Sequence, residues 1–174
     1  MSLKDLTWKH HKNAERQAFV KELLGGISQD RYATFLFNQR PQYDILENFA
    51  LLHDLLDFRR TAAIHKDFLE LWTHDPHQPP TLPVVKEYTN HIISIKDDPD
   101  KLMAHVYVRH MGDLSGGQLI AKRVPGGGEL YKFDEDVNVL KENIRARCND
   151  SMADEAKICF DFATKMFQQM MDIK

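Results

Sequence analysis

Apolar residues along this 174-residue chain recur at steps of three and four. No stretch sustains the apolar–polar alternation, closed by hairpin turns, that a strand requires. That rhythm points to an all-α fold. Residues 3–23 carry Leu3, Leu6, Ala14, Ala18, Phe19 and Leu23 in such steps, and Gly25-Gly26 stops the pattern, so a first helix is predicted there. A second helix is expected from about 29 to 57, bent near Arg40 because Pro41 has no N–H to bond back along the helix. Further helices are predicted at 62–72, 83–95, 100 to about 122, 134–147 and 154–172. The breaks between them are the proline-rich segment 74–80, the capping run Asp97-Asp98-Pro99-Asp100 and the loop Gly126-Gly127-Gly128. No repeat, low-complexity tract or linker divides the chain, so residues 1–174 read as a single domain.

Composition removes several function classes. With 43% hydrophobic and 28% charged residues the chain has the make-up of an ordinary soluble globular protein. Its net charge of −3, from 23 basic and 26 acidic residues, lacks the cation surplus of a non-specific nucleic-acid binder. No apolar run approaches the roughly 18–20 residues of a membrane span. The opening MSLKDLTWKHHKNAER has no apolar core of the kind a secretory signal carries. Cys148 and Cys159 form neither a CxxC pair nor a disulfide framework. A cytoplasmic protein with no nucleic-acid or membrane partner is expected, and Asn149-Asp150-Ser151 reads as a chance glycosylation sequon.

The segment Arg109-His110-Met111-Gly112-Asp113-Leu114-Ser115-Gly116-Gly117-Gln118 is the least helix-like stretch of a helical pattern. A glycine inside a helix costs about 1 kcal/mol relative to alanine, so three of them make it locally weak. Gly112 and Gly116 share a face, which suits either tight helix–helix packing or a backbone that comes close to a flat ligand, with Asp113 and Ser115 as polar groups. The string Leu114-Ser115-Gly116-Gly117-Gln118 resembles the signature of ABC-transporter ATPases, but the chain has no phosphate-cradling GxxxxGK[ST] loop.

Three other features carry possible chemistry. His11 and Glu15 stand four apart, on one helix face, where a carboxylate can orient an imidazole through a shared proton. A solvated charged face explains the same pair. Lys141 and Arg145 are likewise four apart, a clamp for carboxylates or simply an exposed basic face. Phe160 and Phe167, seven apart, suit either the core or a cofactor wall.

The order of these pieces resembles heme oxygenase over nearly the whole chain. His11-Lys12-Asn13-Ala14-Glu15-Arg16-Gln17-Ala18-Phe19 is similar to the family's H-x-x-A-E-x-x-x-F, and Ala104 through Gln118 to its A-H-x-Y-x-R-x-x-G-D-L-S-G-G-Q. Lys141, Arg145, Arg147 and Asn149 match a third element, K-x-x-x-R-x-R-x-N. The resemblance implies a helical fold that sandwiches heme b, both cofactor and substrate, between the first helix and a kinked glycine-rich distal helix. It makes His11 the iron ligand with Glu15 as its hydrogen-bond partner, and sets Lys4, Lys141 and Arg145 around the propionates. Tyr43, Tyr107 and Phe160 would border the pocket. Gly112 and Gly116 would let the distal backbone approach the iron, while Asp113 and Arg109 order the water that delivers protons. The implied reaction cleaves heme with O2 to biliverdin, expected as the IXα isomer, carbon monoxide and ferrous iron. The chain has no flavin or nicotinamide motif, so electrons are expected from ferredoxin or a similar donor, and a bilin reductase is an expected downstream partner. The segment Asn38-Gln39-Arg40-Pro41 departs from the family pattern and is expected to reshape one pocket wall; Ala163 stands where animal relatives carry Asn.

Overall fold

The computed structural model describes residues 2–173, and no strand occurs among them. Nine α-helices follow in order: α1 Leu3–Glu15, α2 Ala18–Leu24, α3 Gln29–Leu52, α4 Thr61–Leu71, α5 Pro83–Ser94, α6 Pro99–Leu114, α7 Gly117–Ala121, α8 Val137–Ala146 and α9 Ala153–Asp172. Two 3-10 turns, Glu129–Tyr131 and Asp150–Met152, lie between them.

The starts of these helices follow local chemistry. Ser2 and Asp5 close a reciprocal capping box on α1, and Ser28 caps α3. Asp98 accepts the Lys101 N–H at 3.1 Å, and Pro99 supplies the fixed φ of a first helical residue, as the acidic run at 97–100 predicted. Asp136 caps α8 through the N–H groups of Asn138 and Val139. The Arg60 N-cap of α4 has no side-chain cap of its own; instead Glu47, buried on α3, accepts the N–H groups of Arg60 at 2.6 Å and Thr61 at 3.1 Å.

Three of the expected helices end or break differently. The stretch 3–23 is two helices, because Gln17 turns extended while its side-chain amide bonds the Asn13 carbonyl at 3.0 Å. That turn sends Phe19, fully buried, against Phe35 and Phe167. The second helix stops at Leu52 rather than 57, where Asp54 adopts φ 56 and its neighbour Leu55 bonds back to the Ala50 carbonyl at 2.9 Å. Aspartate enters the left-handed region more readily than most residues, so the stop carries no glycine to announce it. The expected helix 100–122 ends at Leu114, and α7 begins at Gly117.

Pro41 lies inside the unbroken α3. The polar residues around it are anchors. Asn38 donates to the Thr34 and Pro80 carbonyls at 2.9 and 3.0 Å and accepts the Leu82 N–H at 2.7 Å, pinning the proline-rich segment ahead of α5.

Two apolar clusters hold the helices together. One, around Leu102, Met103, Tyr88, Ile92 and Cys159, joins α5, α6 and α9; the other, around Phe19, Tyr32, Leu36, Ile64 and Met166, joins α2, α3, α4 and the C-terminal half of α9. The long α9 is the shared support, since α1, α2, α5 and α6 all pack on it. No helix among the described residues is long and apolar enough to cross a membrane.

Candidate active site

α1 brings His11 to the surface of α9. The imidazole stacks on Phe160 at 5.3 Å and 16° between planes, and the Trp8 ring meets it edge-on at 5.6 Å. His11 Nε2 stands 2.7 Å from Glu15 Oε1, one turn along the same helix. Both side chains are more than a third exposed, so the ring is braced from below and beside but open above. His10, pointing elsewhere, pairs with Asp161 at 3.0 Å.

α6 leans on the same helix and presents two different faces near its end. Gly112 and Gly116 are exposed, and a Cβ built on Gly112 would meet nothing within 4 Å. The tight helix–helix packing that two glycines on one face would permit therefore does not occur at these two. Gly117 is the packing glycine, for a Cβ there would lie 2.5 Å from the Tyr131 ring. That close approach fixes the path of the chain after the α6 break.

Asp113, one residue from the open face, points inward. Tyr43 Oη donates to its Oδ2 at 2.8 Å, and Gln118 reaches the Asp113 and Tyr131 carbonyls at 3.4 and 3.1 Å. Burial pushes the carboxyl up from 3.8 to about 6, against the opposing pull of His110, Tyr43 and nearby arginines. The same burial, with Asp113 beside it, raises the Tyr43 phenol well above its ordinary range, so it remains a hydrogen-bond donor.

Arg109, one turn before Asp113, is a buried cation. Its guanidinium donates to Gln42 Oε1 at 2.6 Å and Gln39 Oε1 at 3.2 Å, and lies 4.1 Å from the Tyr88 ring centroid and 5.4 Å from that of Tyr43. Amide oxygens and π faces thus replace water around it. Sequence reading singled out Asp113 and Arg109 but not their partners. Gln39 and Gln42 stand one turn of helix or less from Tyr43, and that spacing was the available signal. Gly117 with Tyr131 had none, since their contact runs across α7 and the loop that follows it.

The cations expected near the site are more dispersed. Lys4 is exposed and stands 5.7 Å from the Trp8 ring, while Lys141 is partly buried on α8. Arg145 is exposed and paired with Glu142 at 2.8 Å, and Arg147 turns away to Asp57 at 3.3 Å. Tyr107 is half-buried on α6 beside Thr7 of α1, close enough to Arg145 to feel its charge. α1, α6 and the Arg145 end of α8 therefore meet at one region, the first two resting on α9.

Comparison with known proteins decides what this arrangement belongs to. The family model described as heme oxygenase matches residues 1–169. The chain belongs to the heme oxygenase family. Heme oxygenase of Guillardia theta is 30% identical over 98% of this chain and 85% of its own length; that of Porphyra purpurea is 29% identical over 97% and 84%. Among solved structures, Synechocystis heme oxygenase-1 in complex with heme superposes with a TM-score of 0.84 at 26% identity, covering 97% of this chain and 90% of that one. Heme oxygenase from Leptospira interrogans gives 0.81 at 29%, covering 96% and 98%. The chain shares the all-α fold of those structures.

Proposed function

We propose that this heme oxygenase binds heme b between α1 and the open face of α6 and cleaves it with O2 to biliverdin IXα, carbon monoxide and ferrous iron, drawing electrons from ferredoxin or a donor like it. The observation that carries the reading is the juxtaposition on α9. An imidazole held by Glu15 and stacked on Phe160 stands near a helix whose exposed glycines leave their backbone bare and whose next residue is a buried acid.

Heme, once bound, supplies the redox-active iron and the ring that is opened. The chain supplies the groups that hold, orient and protonate it. Pairing one ring nitrogen of His11 with Glu15 leaves the other for the iron, and the Phe160 stack limits rotation of the ligand. The absence of side chains at Gly112 and Gly116 lets α6 backbone lie against a flat macrocycle, which restricts the edge of the ring open to attack. Lys4, Lys141 and Arg145 are the cations for the propionates, which sets the way round that the ring sits. Arg145 can exchange Glu142 for a propionate at little cost, because an exposed ion pair is worth about 0–1 kcal/mol. Tyr107 borders the same end.

Asp113 handles protons. With its carboxyl near 6 and Tyr43 Oη donating to Oδ2, it can hold or release a proton near neutral pH from just behind the open face. Arg109, fixed by Gln39 and Gln42, keeps its positive charge one helical turn away and so favours release of that proton. A bilin reductase is the class of enzyme that would take the product onward, and the cytoplasm is the compartment this chemistry suits.

Titration with hemin, followed by ferredoxin, its reductase and NADPH in air, tests the reading. The expected result is a saturable one-to-one Soret band that decays while a biliverdin band rises, with a shifted band and no turnover in His11→Ala. A stable Soret band under active reduction would leave a heme carrier, and no saturable band would overturn the site.

A further inference from the structure

Two turns before Gly112 on α6, three side chains from three helices converge. His91 of α5 and His105 of α6 both direct Nε2 at the same oxygen of Glu155 on α9, at 2.5 and 3.1 Å from Oε1. The two imidazole nitrogens and the carboxylate oxygen all lie within 4.8 Å of one another. His105 is fully buried, and its Nδ1 is 2.8 Å from Tyr88 Oη. Nothing in the heme reaction as described uses these groups.

We propose that His91, His105 and Glu155 form a binding site for a divalent transition-metal ion of the zinc type. Two imidazoles and one carboxylate are a donor set that suits such an ion, and three protein ligands leave a fourth position for water. Bond lengths of about 2.0–2.2 Å place the ligand atoms somewhat over 3 Å apart. His105 and Glu155 are already at that separation. His91, which is 23% exposed and 2.5 Å from the same oxygen, has room to move outward as an ion enters.

The surroundings fit the role. Tyr88 Oη holds His105 from behind: when Nε2 gives its lone pair to the ion, the ring proton sits on Nδ1 and is donated to Tyr88, the arrangement that fixes a metal-binding tautomer. Phe162 packs against both Tyr88 and His91, at 5.2 and 5.4 Å between centroids, and keeps that side dry. The other side is wet. Glu155 lines a cleft of about 460 Å³ together with Asp98, Asp100, Lys101, Ser151 and Asp154. Three carboxylates against one ammonium make this an entry route that favours cations. Glu155 also occupies the first turn of α9, so helix and ion act on its charge in the same sense.

Calorimetric titration of the heme-loaded protein with Zn2+ alone tests the site, with Co2+ as a spectroscopic reporter of coordination. One Zn2+ per chain is expected, with a visible Co2+ band of low symmetry. His91→Gln, which keeps a hydrogen-bond donor for Glu155 but loses the imidazole ligand, should weaken binding at least tenfold. His74→Gln, which removes a surface imidazole paired with Asp30 instead, should leave it unchanged. Glu155→Gln should weaken binding similarly, and His91→Gln decides the matter if that variant fails to fold. Binding that His91→Gln leaves intact, binding lost in His74→Gln, or no one-to-one uptake would overturn the proposal.

Discussion

The two faces of residues 109–117 are built to opposite specifications within two turns of helix. On one face Gly112 and Gly116 are exposed, with empty space where a side chain would be at Gly112 and only an ordinary contact, 3.8 Å to the Gly112 carbonyl oxygen, at Gly116. On the other, Arg109, Asp113 and Gly117 are all buried, and each spot is filled: Arg109 by two glutamine oxygens and two aromatic faces, Asp113 by Tyr43, Gly117 by the ring of Tyr131. Glycine thus does two different jobs in one motif. At 117 it is required by the folded protein. At 112 and 116 packing does not require it, which fits the proposed role of those two against a bound ring. The contrast also explains why a weak helical segment survives: its closed face secures it to α3 and the 129–131 turn, so its open face is free to lack side chains.

The largest effect should come from the closed face. In Gly117→Ala the new methyl falls 2.5 Å from Tyr131 Cδ1, and Tyr131 is itself buried and unable to swing away. Overpacking of this kind costs roughly 1–3 kcal/mol, and the better helix propensity of alanine offsets about 1. A net loss of up to about 2 kcal/mol in urea unfolding of the heme-free protein is expected. Unchanged stability would mean that the 129–131 turn yields, and that the two faces are less different than the geometry implies.

Asp113 tests the same face through pH. Its carboxyl is raised from 3.8 to about 6 chiefly by burial, so the folded state holds the proton more tightly than the unfolded state. The corresponding stability is complete below about pH 4 and is lost as pH rises through about 6. Between pH 5 and pH 8 the wild type should lose roughly 1–2 kcal/mol on this account, and Asp113→Asn, which cannot ionise, should not. The stability of the variant relative to wild type should therefore improve by that amount at pH 8. A difference independent of pH would show that Asp113 is solvated, not enclosed, and turnover measured alongside would separate its proton role from its packing.

The sequence carried the helical class, most helix starts and the central motif, because those depend on residues close together in the chain. Asp98-Pro99 and Ser28 announce their helices by contacts three residues long. The missed ends at Gln17 and Asp54 depend on which neighbour the turn must avoid or reach, and Asp54 enters the left-handed region without a glycine to mark it. At the site, His11 with Glu15 and Arg109 with Asp113 were legible from spacing and from family resemblance. Their long-range supports were not: the Glu47 carboxylate that caps α4, the Gln42 oxygen under Arg109, and Tyr131 over Gly117 meet their partners across 13 to 67 residues. Likewise His91, His105 and Glu155 look unrelated in sequence, and only the packing of α5, α6 and α9 brings them to one oxygen.

The open face gives the smallest change in stability and the most direct test of the comparison. Gly112→Ala places a methyl in empty space inside a helix, so the heme-free protein should gain stability, by about 0.5–1 kcal/mol, from propensity alone. The heme complex should move the other way. A methyl standing off the α6 backbone occupies the volume that the macrocycle needs, so hemin affinity should fall, and the distribution of biliverdin isomers should broaden as the ring is pushed off its seat. A gain in stability with a loss in hemin affinity is the signature of a residue kept for ligand and not for fold. A loss in both would put Gly112 with Gly117, and one with neither effect would move the ligand away from this face.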